Sequence, residues 1–320
     1  MNRDRLERHQ VWVYLVALLF GLAVGGGAPA LAPVFERLLW PGLALLLYVT
    51  FTQVPLARLP AAFKDGAFMS AALLGNFVIL PLLVWGVVSL APNDPAIRLG
   101  LMLVLLVPCT DWFLTFAYQA GGDLGRAITL TPVLLVAQMV LLPLYLWFFL
   151  GREFMALVSA SHLATVFVVI LVLPLALAWL TERWVSHRAS RATLTAGLGR
   201  LPIPLLALVL FLIAASQVDA VWDSLPRLGG VFLACVAFLV SATLCGLILG
   251  RVFRLPLAQA RTLLFTLTTR NSFVVLPVAL ALPASLGMAS ITIVLQSLIE
   301  LFGMLALLWL VPNALLPEKR

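Results

Sequence analysis

The chain has 320 residues, 63% of them hydrophobic and only 10% charged, with a formal net charge of +7. A soluble domain carries about 25% charged residues, so this composition excludes a soluble globular protein. The apolar residues recur in blocks of roughly 20, the length a helix needs to cross a bilayer, and the expected class is an all-α polytopic membrane protein.

In chain order, Met1–Gln10 is polar and basic, and the apolar run behind it has no clear small-residue cleavage site. It reads as a retained first span. Ten spans are expected, near Val11–Ala28, Leu38–Ala57, Gly66–Leu90, Ile97–Ala120, Gly125–Leu150, Leu163–Thr181, Leu201–Gln217, Leu228–Gly250, Pro256–Leu282 and Leu286–Val311. With the N-terminus cytoplasmic, fifteen Lys and Arg residues fall inside and four (Arg37, Arg98, Arg152, Arg227) fall outside. That asymmetry places both termini in the cytoplasm and makes the basic balance a topology signal rather than a nucleic-acid footprint. Seven of the nine tryptophans lie near span ends, as interfacial anchors do.

An odd number of spans per half inverts the second half relative to the first. Five plus five therefore suggests an inverted-repeat transporter, with residues 1–155 as the first repeat and 156–320 as the second. Internal likeness supports the division. Pro108-Cys109-Thr110-Asp111-Trp112-Phe113 lies 160 positions before Thr268-Thr269-Arg270-Asn271-Ser272-Phe273. Val136-Ala137-Gln138 echoes Val294-Leu295-Gln296, and Thr52-Gln53-Val54 echoes Ser216-Gln217-Val218.

Pro108 lacks an N–H and clashes with the preceding turn, so it breaks or kinks the fourth span. In lipid the freed carbonyls need partners, and such breaks occur where helix is buried in protein or lines a wet cavity. Cys109, Thr110 and Asp111 follow at once, which a simple kink does not require. Three ionisable residues lie near span centres: Asp111, Arg270 and Glu300. Each costs roughly 2.5–3.5 kcal/mol there on insertion scales, so each needs a partner or a cavity. A buried ion pair between Asp111 and Arg270 that only fixes helix packing is one reading of the first two. It leaves Glu300 without a cation of its own, as a carboxyl that can carry a proton. Gln296 is one helical turn earlier, so the Gln296/Glu300 face points to one place. Asn271 and Ser272 continue the second break, and Asn76 precedes Pro81 in the third span, either as a lining group or as a packing amide.

The three cysteines, Cys109, Cys235 and Cys245, have no metal-ligand or disulfide spacing. Cys235 and Cys245, ten residues apart, are expected on different helix faces as small buried hydrophobes. No cofactor is implied, and no mid-span histidine is available to activate Cys109 as an enzymatic nucleophile, so an enzyme is not expected.

Val107-Pro108-Cys109-Thr110 in the fourth span, with Leu298-Ile299-Glu300 in the tenth, resembles the arsenite-efflux permeases of the bile acid–sodium symporter superfamily. Tyr48-Val49-Thr50-Phe51-Thr52-Gln53-Val54-Pro55-Leu56 has the same character. The resemblance implies ten helices in a panel and a core domain, with broken helices four and nine crossing at the site. It implies a cysteine that binds trivalent arsenic, here Cys109, and a glutamate that couples transport to protons, here Glu300. Asp111 and Trp112 after the Pro-Cys-Thr, and Thr269-Arg270-Asn271 at the second break, mark a divergent branch.

The expected function is export of arsenite or antimonite in exchange for protons. The substrate would meet Cys109, the only metalloid ligand, ringed by Thr110, Thr269 and Asn271, with Asp111, Arg270, Asn76 and Gln296 as a supporting network. The alternative is a proton- or sodium-coupled transporter of a small organic anion held by Arg270, although a fixed guanidinium opposes a sodium ion. The partners expected are a small inorganic or anionic substrate, protons and the lipid of a bacterial inner membrane. The geometry expected is a thiol facing the acid of the last span across a shared, water-accessible chamber.

Overall fold

The computed structural model describes residues 3–54, 66–157, 165, 168–186, 197–199, 201–216 and 218–318. Among the cations used for topology, Arg58, Lys64, Arg188, Arg191, Arg200, Lys319 and Arg320 lie outside these residues, as do Gln217 and the start of the expected span at Leu163.

Every regular element among the described residues is helical. In chain order they are α1 (Arg3–Gly27), α2 (Ala32–Thr52), α3 (Gly66–Leu74), α4 (Leu80–Val88), α5 (Pro95–Leu105), α6 (Trp112–Gln119) and α7 (Leu124–Leu157). Then follow α8 (Leu173–Ser186), α9 (Pro202–Ser216), α10 (Val218–Val252), α11 (Leu257–Thr268), α12 (Ser272–Leu280) and α13 (Met288–Leu310). Five described segments are long and apolar enough to cross a membrane: 29–52, 66–88, 124–148, 228–252 and 288–315. Shorter apolar helices run over Trp12–Gly27, Pro95–Leu105 and Pro202–Ser216. The chain is a polytopic membrane protein.

Contacts divide it into two units that do not coincide with its sequence halves. One holds Met1–Gln53 and Ser161–Pro226, the other Val54–Ala160 and Arg227–Arg320. Each unit therefore takes helices from both halves of the chain.

In the first unit α9 packs against α1 and α2, and α8 against α2. Gly21 and Gly25, four residues apart on α1, let that helix approach α9 at backbone distance. A Cβ on Gly21 would sit 2.5 Å from the Phe211 carbonyl oxygen, and one on Gly25 2.5 Å from that of Ala215. Between apolar helices in lipid, close backbone packing of this kind is a main source of association.

In the second unit α5, α11 and α12 bury nearly every side chain. A helix that is hydrophobic on all sides belongs in an interior, and α12 meets that condition, whereas α5 carries one partly exposed cation, Arg98. The last helix, α13, packs against α5, and Gly100 of α5 sets the distance: a Cβ there would lie 2.6 Å from the Ala289 carbonyl oxygen. The face α13 buries includes Gln296, Glu300, Met304 and Leu307. Between α3 and α4 the chain makes a wide π turn over Gly75–Ile79, an insertion that re-aims one side chain without ending the helix. Here that residue is Asn76.

Candidate functional site

The Ile97–Ala120 and Pro256–Leu282 stretches are each two half-helices with an extended link. The first pair is α5 and α6, the second α11 and α12. The links meet as an isolated antiparallel bridge between Pro108 and Arg270. Cys109 N–H donates to the Thr269 carbonyl at 3.2 Å, and Asn271 N–H donates to the Val107 carbonyl at 2.8 Å. In this type of antiparallel pair the two facing residues do not bond each other. Proline, which has no N–H to offer, therefore fits at 108 without leaving an acceptor unmet. The same geometry turns the N–H of Arg270 away from the first link and toward α13.

There it meets Glu300. Arg270 N–H donates to Glu300 Oε2 at 2.9 Å, and Gln296 Nε2 donates to the same oxygen at 2.7 Å. Gln296 and Glu300 act as one polar face, as their spacing predicts. The other carboxylate oxygen, Oε1, is buried without a hydrogen-bond partner, as are Gln296 Oε1, Ser272 Oγ and Arg270 Nε.

The Arg270 side chain runs in another direction. Nη2 donates to Asn76 Oδ1 at 3.0 Å and to the carbonyls of Thr266 and Leu267 at 3.2 and 2.6 Å. Nη1 donates to the Leu105 carbonyl at 3.4 Å. The Phe238 ring of α10 lies under the guanidinium, 5.3 Å from Cζ to the centroid. An Asp111–Arg270 ion pair is not what the structure shows: the guanidinium binds carbonyl and amide oxygens, because α5 and α11 both end beside it and bring their unpaired carbonyls. Asp111 occupies the N-cap position of α6 and is partly exposed.

The Cys109 thiol is buried in the first link, three residues before α6 begins at Trp112. Asn271 caps the other half-helix: its Oδ1 accepts from Val274 N–H at 3.3 Å, and its Nδ2 donates to Thr110 Oγ1 at 3.1 Å. The Trp112 and Phe273 rings stand 5.1 Å apart. Thr269 enters through its carbonyl. Its hydroxyl turns back to the Phe265 carbonyl at 2.7 Å and finishes the last turn of α11.

Cys109, Thr110, Thr269, Arg270, Asn271, Asn76, Gln296 and Glu300 therefore belong to one connected cluster in the second unit. It is closed, with Cys109 1%, Arg270 0% and Glu300 4% exposed. This differs from the expected water-accessible chamber: side chains from α5, α11, α12 and α13 fill the crossing. An open surface groove of about 810 Å³ lies in the first unit, lined by Tyr48, Leu177, Leu180, Thr181, Arg183 and Trp184.

Phe238 is not among the expected site residues. Spacing alone would have suggested it, since Cys235, Phe238, Ala242 and Cys245 recur at intervals of three and four. All four are buried, so the two α10 cysteines lie along one stripe rather than on separate faces. Tyr145 of α7, whose hydroxyl donates to the Phe77 carbonyl inside the π turn, had no sequence signal. It satisfies a carbonyl on the turn that presents Asn76. Among the described residues no group of three His, Cys, Asp or Glu side chains converges to hold a metal ion.

The family model of the Sodium Bile acid symporter family matches residues 40–224, which include the first break and its Cys109. The arsenical-resistance protein Acr3 of Corynebacterium glutamicum is 25% identical to this chain over 149 residues. That alignment covers 44% of the chain and 40% of the relative's own length.

Proposed function

The chain belongs to the sodium bile acid symporter family and is a membrane transporter, and from that premise we propose that it exports trivalent metalloid, arsenite or antimonite, in exchange for protons. The observation that carries this reading is the placement of the Cys109 thiol. Cys109 lies in the link of one broken helix, its main-chain N–H bonded to the carbonyl of Thr269, next to the residue whose own N–H holds Glu300.

Arsenite at cellular pH is a small neutral hydroxide, and trivalent arsenic is thiophilic. Attack of the Cys109 sulfur forms one S–As bond and breaks one As–O bond, and the thiol proton leaves with the displaced hydroxyl as water. Hydrolysis reverses the step. A single thiol gives a bond that is readily undone, whereas three converging thiols would trap the metalloid. Glu300 Oε1 and Gln296 Oε1 offer acceptors for the hydroxyls that remain on arsenic. Glu300 is the group that binds and releases the exchanged proton, because it touches the second break through the chain itself and not through a salt bridge. The Acr3 relative, named for arsenical resistance, supports this substrate over others.

The reading includes ten spans in an inverted five-plus-five repeat, with repeats at 1–155 and 156–320. The unit built around the two breaks acts as core, the other unit as panel, and both termini lie in the cytoplasm of a bacterial inner membrane. A small organic anion paired with Arg270 is disfavoured, since both terminal nitrogens of that guanidinium are already bonded to protein oxygens. The test is arsenite accumulation by everted membrane vesicles with an acid interior. Wild type accumulates it, and Cys109→Ser and Glu300→Gln do not. Full uptake by both variants would overturn the proposal.

A further inference from the structure

We propose that the Arg270 guanidinium is a tethered cation seated in an oxygen cage built to hold a small monovalent cation, so that the protein carries within its own chain the positive charge its crossing helices require. The proposal rests on the geometry of the cage and not on the identity of the substrate.

The cage is assembled from three directions. Leu105 is the last residue of α5, and Thr266 and Leu267 belong to the last turn of α11. The final carbonyls of a helix have no partner within it and carry the negative end of its dipole. Both ends converge on one guanidinium, with Nη2 at 2.6 Å from Leu267 O and 3.2 Å from Thr266 O, and Nη1 at 3.4 Å from Leu105 O. Asn76 adds its amide oxygen at 3.0 Å from the π turn, and the Phe238 ring face closes the cage beneath. A ring face attracts a cation through its quadrupole.

Every oxygen donor in this set is neutral. Uncharged carbonyl and amide oxygens replacing a hydration shell are the ligand chemistry of a monovalent cation. Divalent cations instead draw carboxylates into the coordination shell. The guanidinium supplies the charge permanently, since arginine is not deprotonated in proteins. Two consequences follow. The two broken helices are pinned together at their negative ends by a group that cannot diffuse away. In addition, no metal cation need enter this cage during the transport cycle.

The test uses the purified full-length chain in detergent, its thermal unfolding read in choline chloride and, at equal ionic strength, in guanidinium, ammonium, potassium or sodium chloride at low millimolar concentration. Arg270→Ala is expected to unfold about 5 °C or more below wild type in choline. It should recover most of that loss, saturably, with at least one of the four small cations. Wild type is expected to show no such cation-specific gain. Arg270→Lys, which places an ammonium among the same oxygens, should stay within a few degrees of wild type. Arg270→Met, which keeps bulk without charge, should not. If Arg270→Ala does not fold, the Lys and Met pair decides the matter alone. Equal losses in Lys and Met, a folded Ala variant indifferent to all four cations, or a saturable sodium-specific stabilisation of wild type would each overturn the proposal. None of these readouts requires transport, so their failure is separable from failure of the arsenite reading.

Discussion

The main-chain N–H of Arg270 and the Oε2 atom of Glu300 are 2.9 Å apart, so the acid of the last helix is bonded to the backbone of the second break and not to its guanidinium. An amide oxygen can accept the same bond, whereas a methyl group cannot. Glu300→Gln is therefore expected to fold with thermal stability close to wild type. Glu300→Ala should lose about 1–3 kcal/mol, because the buried donors of Arg270 and Gln296 lose their acceptor. Denaturant unfolding in detergent separates the two, and equal stability of both variants would contradict the bond's role.

Cys109 is expected to tolerate serine structurally. Its side chain is small and buried just ahead of α6, and serine has nearly the same shape, with a hydroxyl that can bond to nearby main-chain groups. Cys109→Ser should unfold within about 1 kcal/mol of wild type, the scale of one hydrogen bond gained or lost, while losing protection of an arsenite-sensitive host. At 1% exposure the native thiol should also react with a membrane-impermeant maleimide far more slowly than it does in unfolded protein. Rapid labelling of folded, substrate-free protein would show that the crossing is open.

Asn271 caps α12 and bonds Thr110 across the two links. Asn271→Ala removes both interactions and is expected to cost about 1–2 kcal/mol. Asn271→Asp keeps the cap acceptor but cannot donate to Thr110, so its stability should fall between alanine and wild type in the same unfolding assay.

Gly100 holds α5 against α13, and a Cβ there would meet the Ala289 carbonyl oxygen at 2.6 Å and its Cα at 2.9 Å. Backbone atoms cannot move aside as a flexible side chain does. Gly100→Ala is expected to push the two helices apart and destabilise the protein by about 1–3 kcal/mol. It should also impair uptake, since Glu300 travels with α13.

At the far end of the same unit, Arg261 is buried and donates through Nε and Nη2 to the Leu316 carbonyl at 3.2 and 2.8 Å. A Cβ on Gly121, whose φ of +75° already favours glycine, would collide with Arg261 Nη1. Arg261→Met should free the segment after α13, visible as faster proteolysis near Leu316, with little change at the crossing.

The membrane class, the helical fold and the two interruptions were determined locally. Hydrophobic block length, a proline with a polar tripeptide behind it, and Thr-Thr-Arg-Asn in an apolar run are properties of the chain at each point. They hold whatever the chain packs against. Tertiary structure alone decided the partners. Spacing could bring Gln296 to Glu300, but only the meeting of the two links in one register turned the Arg270 N–H toward that acid. Likewise, Asp111 was the oppositely charged residue available in sequence, yet the Arg270 side chain bonds to Asn76 and to the carbonyls where α5 and α11 end. Those carbonyls exist only because both helices stop there, side by side. A guanidinium takes whichever oxygens the packing brings within 3 Å or so, and that distance depends on helices far apart in the chain.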